Sequence, residues 1–390
     1  MASFPIFKLS FLPINHIIQL MGTSDVIKLC SLSTKSENLV KLCSYNVGKV
    51  NVVISHAKRI QMENSSHRVV NLVIRNDFSE NEYPEKPIVR YLNEKEKTVI
   101  FCAEKPLQSC FSFFKKIRSI FRMDFVKITY HLDVLQYDDS FPFLLPALDC
   151  NYDAFSLLGY RIDSQLSDSQ LTFLMNHVKL EAKLKITCPM PDHFKHPNAF
   201  KFQSVSYANS NWVSLDQLKS VRNTNKICLG GSKFNCHQIN EFLHYWRTCE
   251  YDLMRCLEIR FDKEITIDLD VILDQIQTLK SQNDWIPVFF MSVDTHMSRK
   301  YPIAKIWIKE GYHTLLIEAS AVEGPLVNLY PVFELMKREK ELVSQEAEVS
   351  RMEQENSQLS NELRERKEII RFELRKIKDK LVEHKISTIE

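Results

Sequence analysis

From Val332 to Glu390 the chain contains neither glycine nor proline. A stretch this long without a helix breaker, built mostly of Glu, Lys, Arg, Leu, Gln and Ile, is constrained to be helical. One seven-residue register runs through it: Leu335, Leu342, Val349, Asn356, Leu363, Ile370 and Ile377, with Met352 and Leu359 in partner positions. Leu374 and Leu381 mark a stutter near the end. The pattern predicts one long helix over 331–385, about 80 Å if unbroken. Its seam is what a coiled coil needs, and Asn356 is the sort of buried polar residue that selects two strands. Arg338, Gln345, Arg366 and Glu373 spoil other seam positions, so a homodimer through 331–385 and a solitary charged helix both stay open.

The globular core must therefore lie in front of residue 331. A chain of 390 residues is long enough for two or three domains. Its net charge of +2 gives no bulk attraction to nucleic acid or to a membrane surface. No apolar run approaches ~18 residues, so no transmembrane helix is expected. The ten cysteines are scattered and none forms C-x-x-C, which fits free thiols in a reducing compartment, cytoplasmic or nuclear, better than a disulfide or zinc framework. Only seven glycines occur, and the only paired ones are Gly230-Gly231, so no backbone cradle for phosphate is expected.

The first residues read as three short helices. Leu12-Pro13 opens an apolar run of Ile14, Ile17, Ile18 and Met21, which Gly22 ends. Pro13 suits a first helical turn, where its missing N–H would be unpaired anyway. Thr23, Ser24 and Asp25 offer capping oxygens for a second helix carrying Val26, Ile27, Leu29 and Leu32; Ser33-Thr34 can cap a third through Leu39 and Leu42. Three helices in so few residues leave much apolar surface without a core of their own, which predicts a protein-docking surface.

Beyond Leu42 the period changes from helix to strand. KVNVVIS, VVNLVIR, PIVRYL and KTVIFCA predict a small antiparallel sheet between Lys49 and Ala103. A Phe-rich helix over Leu107–Met123 and the strand DFVKITYHL follow. Then strands and helices alternate: a helix over Ser167–Val178, strand EAKLKIT, a loop with Pro189, Pro191 and Pro197, strand FQSVSY, helix SLDQLKSV, strand KICLG, helix NCHQINEFLHYWRT, strand MRCLEIRF and helix DLDVILDQI. Units of roughly 20–30 residues like these resemble leucine-rich-repeat stacking, with parallel strands buried by helices. PIAKIWIK and HTLLIEA around Glu310-Gly311-Tyr312 predict a closing hairpin.

Two stretches resemble a known pairing of domains. The N-terminal helices resemble the F-box, with its Leu-Pro opening at Leu12-Pro13 and its apolar positions at Ile17, Ile18, Ile27, Leu29 and Leu32; the basic–aromatic pair common near the motif's end is replaced by Lys35-Ser36-Glu37. The block from Asn209 to Phe261 looks like the type 2 F-box-associated domain of a nematode-expanded F-box family, through Trp212, Leu215, Leu218, Ile227, Leu229, Ile239, Asn240, Phe242, Leu243, Trp246, Leu257 and Ile259. The resemblance implies an F-box at 4–45 and a substrate-binding region at 46–330, with the associated domain at about 200–275. It implies a Skp-family adaptor and a cullin complex as partners, an unknown protein as target, no cofactor and no catalysis. The expected fold is therefore α+β or α/β: a three-helix F-box, a mixed sheet with leucine-rich-repeat-like units, and the C-terminal helix. A coiled-coil scaffold whose N-terminal helices merely complete its core is the alternative.

No catalytic constellation stands out. Cys236 and His237 are adjacent, so on a helix their side chains diverge by about 100°. Asp192, His193 and His196 form a loose ligand set without a fourth member. Asp262, Glu264, Asp268 and Asp270 read as a solvated turn and helix N-terminus. Lys115, Lys116, Arg118 and Arg122 read as the wet face of an amphipathic helix.

Overall fold

A computed structural model of the chain describes residues 9–63, 69–75, 88–93, 96–103, 105–134, 145–159, 161, 165–281, 287–294, 299–309, 313–321, 323–324, 326–355 and 360–387, the strand at 88–93 by its backbone alone. The chain divides into two compact units, Met1–Trp212 and Val213–Glu390.

Unit 1 begins with α1 (Phe11–Leu20), α2 (Thr23–Leu32) and α3 (Thr34–Leu42). Pro13 lies in the first turn of α1, as expected. Ser33 caps α3 by accepting the Ser36 N–H at 3.1 Å. The expected side-chain cap of α2 does not form. Gly22 occupies the cap position, and Thr23 and Ser24 turn inward instead. Thr23 lies 3.4 Å from the Tyr45 hydroxyl, and Ser24 accepts from the Lys97 ammonium at 3.0 Å. A tertiary partner thus outcompetes the local cap.

The rest of unit 1 comprises β1 (Lys49–Ile54), β2 (Lys58–Glu63), β3 (Val69–Arg75), β4 (Ile88–Asn93), β5 (Glu96–Cys102), α4 (Pro106–Ile120), β6 (Phe125–His131), α5 (Leu145–Leu148), β7 (Ala154–Leu158), α6 (Asp168–His177), β8 (Lys183–Ile186) and β9 (Ser204–Tyr207). Its strands order as β9-β8-β7-β6-β1-β2-β3-β5-β4. The sheet predicted between Lys49 and Ala103 is only partly antiparallel. β1, β2 and β3 form a meander, but β3 pairs parallel with β5 and β1 pairs parallel with β6. For the β1–β6 pair the cause is α4, whose buried Cys110, Phe111, Phe114, Ile117 and Ile120 make it a crossover helix that returns the chain beside β1. β2 escapes sequence reading because only Ile60 and Met62 carry its alternation among charged residues; both are buried.

β6, β7, β8 and β9 are parallel and laid side by side in chain order, with Lys127 opposite Ala154, Ala154 opposite Lys183 and Lys183 opposite Ser204. The expected parallel alternation is present, but among the described residues no regular repeat is. The connections differ: a single turn at α5, ten residues at α6, and turns alone in the proline-bearing loop before β9.

Unit 2 comprises α7 (Leu215–Lys219), β10 (Thr224–Ser232), α8 (Cys236–Thr248), β11 (Met254–Phe261), α9 (Leu269–Ile272), β12 (Leu279–Lys280), β13 (Val288–Ser292), β14 (Ile303–Lys309), β15 (Thr314–Ser320), α10 (Tyr330–Glu355) and α11 (Ser360–Ser387). Parallel β10 and β11 flank the crossover helix α8, and β15, β14, β13 and β12 continue the sheet antiparallel. The predicted β14–β15 hairpin is present; its turn, at 310–312, lies outside the described residues. The paired glycines serve a bulge: the β10 register shifts between Leu229 and Ser232, where Gly231 has φ 52°. The helix predicted over 268–276 shortens to α9, ending before Gln275 at φ 59°.

The C-terminal segment is not one long helix. α10 and α11 pack against each other, with Val332, Leu342, Val349, Ile370, Leu374, Ile377 and Leu381 buried in one cluster. The ion pairs fix the direction: Arg338 meets Glu373 at 3.2 Å, Glu346 meets Arg371 at 2.7 Å, and Glu353 meets Lys367 at 3.0 Å and Arg364 at 3.4 Å. As the residue number rises along α10 it falls along α11, so the pair is antiparallel. Of the predicted seam, Leu342, Val349, Ile370 and Ile377 are buried and Leu335 and Leu363 partly so, but by the same chain; Met352 is exposed. Asn356 and Leu359 lie outside the described residues. Exposed ion pairs contribute little each; the apolar cluster holds the pair. A zero-length carbodiimide is expected to join Glu353 to Lys367 within one chain, detected by peptide mass spectrometry. In a continuous helix these residues would stand about 21 Å apart and no intrachain link would form.

Candidate docking surface

The apolar side chains of α1–α3 divide into two sets. Ile14, Ile18, Val26 and Val40 are buried. Phe11, Leu12, Leu20, Leu32 and Leu42 are exposed, the last four at 77%, 74%, 75% and 69%. Among the described residues of unit 1, the other exposed large apolar side chain is Leu180, at 38%. Each exposed leucine forgoes about 1.5–3 kcal/mol of burial, and this concentration in one short segment makes it the candidate docking surface.

The helices are tied to the unit behind them. Gln19 donates to the Cys43 carbonyl at 2.8 Å, the Tyr45 hydroxyl donates to the Met21 carbonyl at 2.9 Å, and Lys116 of α4 pairs with Glu37 at 3.1 Å. They therefore form a fixed platform. Of the residues predicted to dock a partner, Leu12, Pro13 and Leu32 are exposed, and Ile17, Ile27 and Leu29 are half-buried. Ile18 is removed from that set, since it is fully enclosed in the core. One residue is about 100° of helix, enough to turn Ile18 inward beside Ile17. Phe11, Leu20 and Leu42 were missed as surface candidates; their signal is an apolar residue lying off the inward stripe.

The block of residues from 193 onward is built around aromatic cores. In unit 1, Trp212 packs edge-on to Phe194 (5.5 Å) and Tyr207 (5.1 Å) and stacks on Phe200 (5.8 Å), and its indole N–H donates to the Asn209 carbonyl at 3.2 Å. In unit 2, Asn235 caps α8 in a reciprocal arrangement with Gln238. The helix then buries Ile239, Phe242, Leu243 and Trp246, and the strands bury Ile227, Leu229, Leu257 and Ile259. Asn240 donates from one amide nitrogen to the Ile272 carbonyl (3.0 Å) and the Asp274 carbonyl (2.8 Å), fastening α9 to α8. Asn240→Leu should take that donor from the part-buried Ile272 carbonyl at a cost of about 1–3 kcal/mol, while the Asp274 carbonyl keeps its contact with His244 Nε2 at 3.2 Å. Faster backbone hydrogen exchange at 268–276 is the expected readout.

The opposite face of β10 and β11 is polar and half-exposed. Lys226 meets Glu258 at 3.1 Å, and the Cys228 thiol donates to the same carboxylate at 3.4 Å. Burial pulls the Glu258 carboxyl upward, but Lys226, Cys228 and Arg260 together outweigh it and hold the group below its usual range. Burial, then Glu258, pushes the Cys228 thiol up to about 12.

The catalytic and metal-binding alternatives are not brought together. Cys236 is buried, accepting the Asp268 N–H at 3.3 Å, while His237 is exposed. His193 pairs with Asp168 at 2.8 Å, and His196 accepts the Asn198 N–H at 3.1 Å. Asp268 caps α9. Among the described residues no group of three or more His, Cys, Asp or Glu side chains could hold a metal ion, and no helix is long and apolar enough to cross a membrane.

Residues 193–259 match the F-box-associated family model. The match begins at the aromatic cluster of Trp212, takes in α7, β10 and α8, and ends within β11; the block resembling that domain by sequence lies largely inside it. Comparison with curated proteins and with solved structures returns no match.

Proposed function

We propose that this protein is the substrate-recognition adaptor of a Skp–cullin–F-box ubiquitin ligase, acting in the cytoplasm or nucleus. The observation that carries the reading is the F-box-associated match at 193–259. The exposed leucines of α1–α3 support it, since an F-box presents apolar side chains to a Skp-type adaptor. In this reading Leu12, Pro13, Ile17, Ile27, Leu29 and Leu32 contact that adaptor. The region containing 193–259 holds the target protein through surfaces its buried aromatic cores leave exposed.

The protein itself performs no chemistry here. It raises the effective concentration of a bound target near a loaded conjugating enzyme. The platform of α1–α3, tied to α4 through Glu37 and Lys116, suits that task because a loose joint would dilute the target's local concentration. The test is calorimetric titration of the full-length chain with a purified Skp-family protein, followed by co-purification with a cullin. Saturable one-to-one binding is the expected result. Absence of binding at tens of micromolar would overturn the adaptor reading and leave a non-ligase interaction protein.

A further inference from the structure

A cavity of about 320 Å³ lies between α2, β3, β5 and α4. Protein interiors close-pack and leave few voids larger than a water molecule. A void of roughly ten water volumes forfeits dispersion contacts along its whole lining. Its apolar walls are Ile27 of α2, Val70 of β3, Val99 and Phe101 of β5, and Phe113 and Ile117 of α4. Ser24, Ser31, Cys30 and two lysines complete the lining, so polar groups are few beside the apolar walls. The site falls at the lower end of the volumes that hold small ligands.

The charged part of the lining has one sign. Lys28 and Lys116 both border the cavity and both are exposed, while among the described residues no carboxylate lines it. Each ammonium is paired outside the cavity, Lys28 with Asp25 at 3.8 Å and Lys116 with Glu37 at 3.1 Å, and both pairs are open to solvent on the lysine side. An incoming anion can share such ammonium groups. The volume has room for an alkyl chain of about eight to ten carbons. We propose that this cavity binds a medium-chain monocarboxylate, its tail among Val99, Phe101 and Phe113 and its carboxylate between Lys28 and Lys116. Binding is non-covalent. Cys30 also lines the cavity, but burial, then Glu37, holds its thiol up at about 11, so it is protonated at neutral pH and a poor nucleophile. The bound tail would fasten α2 to the sheet and so bear on the platform of α1–α3.

The experiment titrates the full-length chain with octanoate, decanoate and dodecanoate by calorimetry, and follows alkylation of Cys30 by peptide mass spectrometry at alkaline pH. Affinity should rise roughly fourfold per added methylene until the volume is filled. Decanoate should slow Cys30 alkylation at least tenfold, and decanol should bind at least tenfold more weakly than decanoate. Val99→Phe fills the cavity and should abolish binding. Lys28→Glu with Lys116→Glu should weaken decanoate and leave decanol unchanged. The proposal is overturned if the native chain shows neither heat nor Cys30 protection, if Val99→Phe binds like the native chain, or if decanoate and decanol bind alike. Should Val99→Phe fail to fold, Cys30 protection in the native chain decides the matter.

Discussion

The double variant Leu12→Ala, Leu32→Ala is expected to bind a Skp-type adaptor roughly a hundredfold more weakly than the native chain, with an unchanged melting curve. Both side chains are about three-quarters exposed, so the free protein loses nothing by their truncation. In the complex each would contribute about 1.5–3 kcal/mol if buried. A discounted sum near 3 kcal/mol corresponds to two decades in affinity, and interfaces concentrate their energy in a few such anchors. Ile18→Ala supplies the contrast. Ile18 is fully enclosed, so its truncation should cost about 2–5 kcal/mol of stability whether or not an adaptor exists. Calorimetry and thermal melts on the three proteins separate the cases. Native-like binding by the double variant would reject Leu12 and Leu32 as anchors. Loss of binding with a collapsed fold would assign them to the core.

The second large effect is expected in unit 2. Trp246 is 1% exposed, and the Arg299 guanidinium stacks on its ring at 4.4 Å while donating to its carbonyl at 2.6 Å. Arg299 also pairs with Asp252 at 3.5 Å, and that carboxylate accepts the Lys300 and Tyr301 N–H groups at 3.0 and 3.1 Å. One indole thus backs a buried cation that organises the approach to β14. Trp246→Ala should cost about 3–5 kcal/mol, a large share of the 5–15 kcal/mol typical of a domain. It removes the stacking surface of a desolvated guanidinium as well. Urea unfolding should show a midpoint shifted far toward lower denaturant, and Trp246→Phe, which keeps an aromatic face, should recover part of the loss. An unshifted midpoint for the alanine variant would contradict the packing described for α8.

Patterns written into neighbouring residues could be read from the sequence alone. Caps at Ser33, Ser167, Ser214 and Asn235 form where a small polar side chain precedes an apolar-periodic run, because donor and acceptor lie three residues apart. The buried stripe of α8 and the alternation of β10 and β11 follow from periods of 3.6 and 2. The exposed leucines of α1–α3 were legible as an excess of apolar side chains over any core that three short helices can build.

Which element covers a given stripe was decided by tertiary structure. The periodicity of β1 does not say which strands lie beside it; a hairpin supplied β2 on one edge, and the crossover through α4 supplied the parallel β6 on the other. Ser24 can cap a helix or receive Lys97, and a residue far along the chain made the choice. Ile17 and Ile18 look alike in sequence, yet helix rotation sends only Ile18 fully inward. The C-terminal heptads state that one face must be covered and say nothing of what covers it. Here the partner is the chain's own α11, because an antiparallel fold-back buries the same leucines without the translational cost of recruiting a second chain.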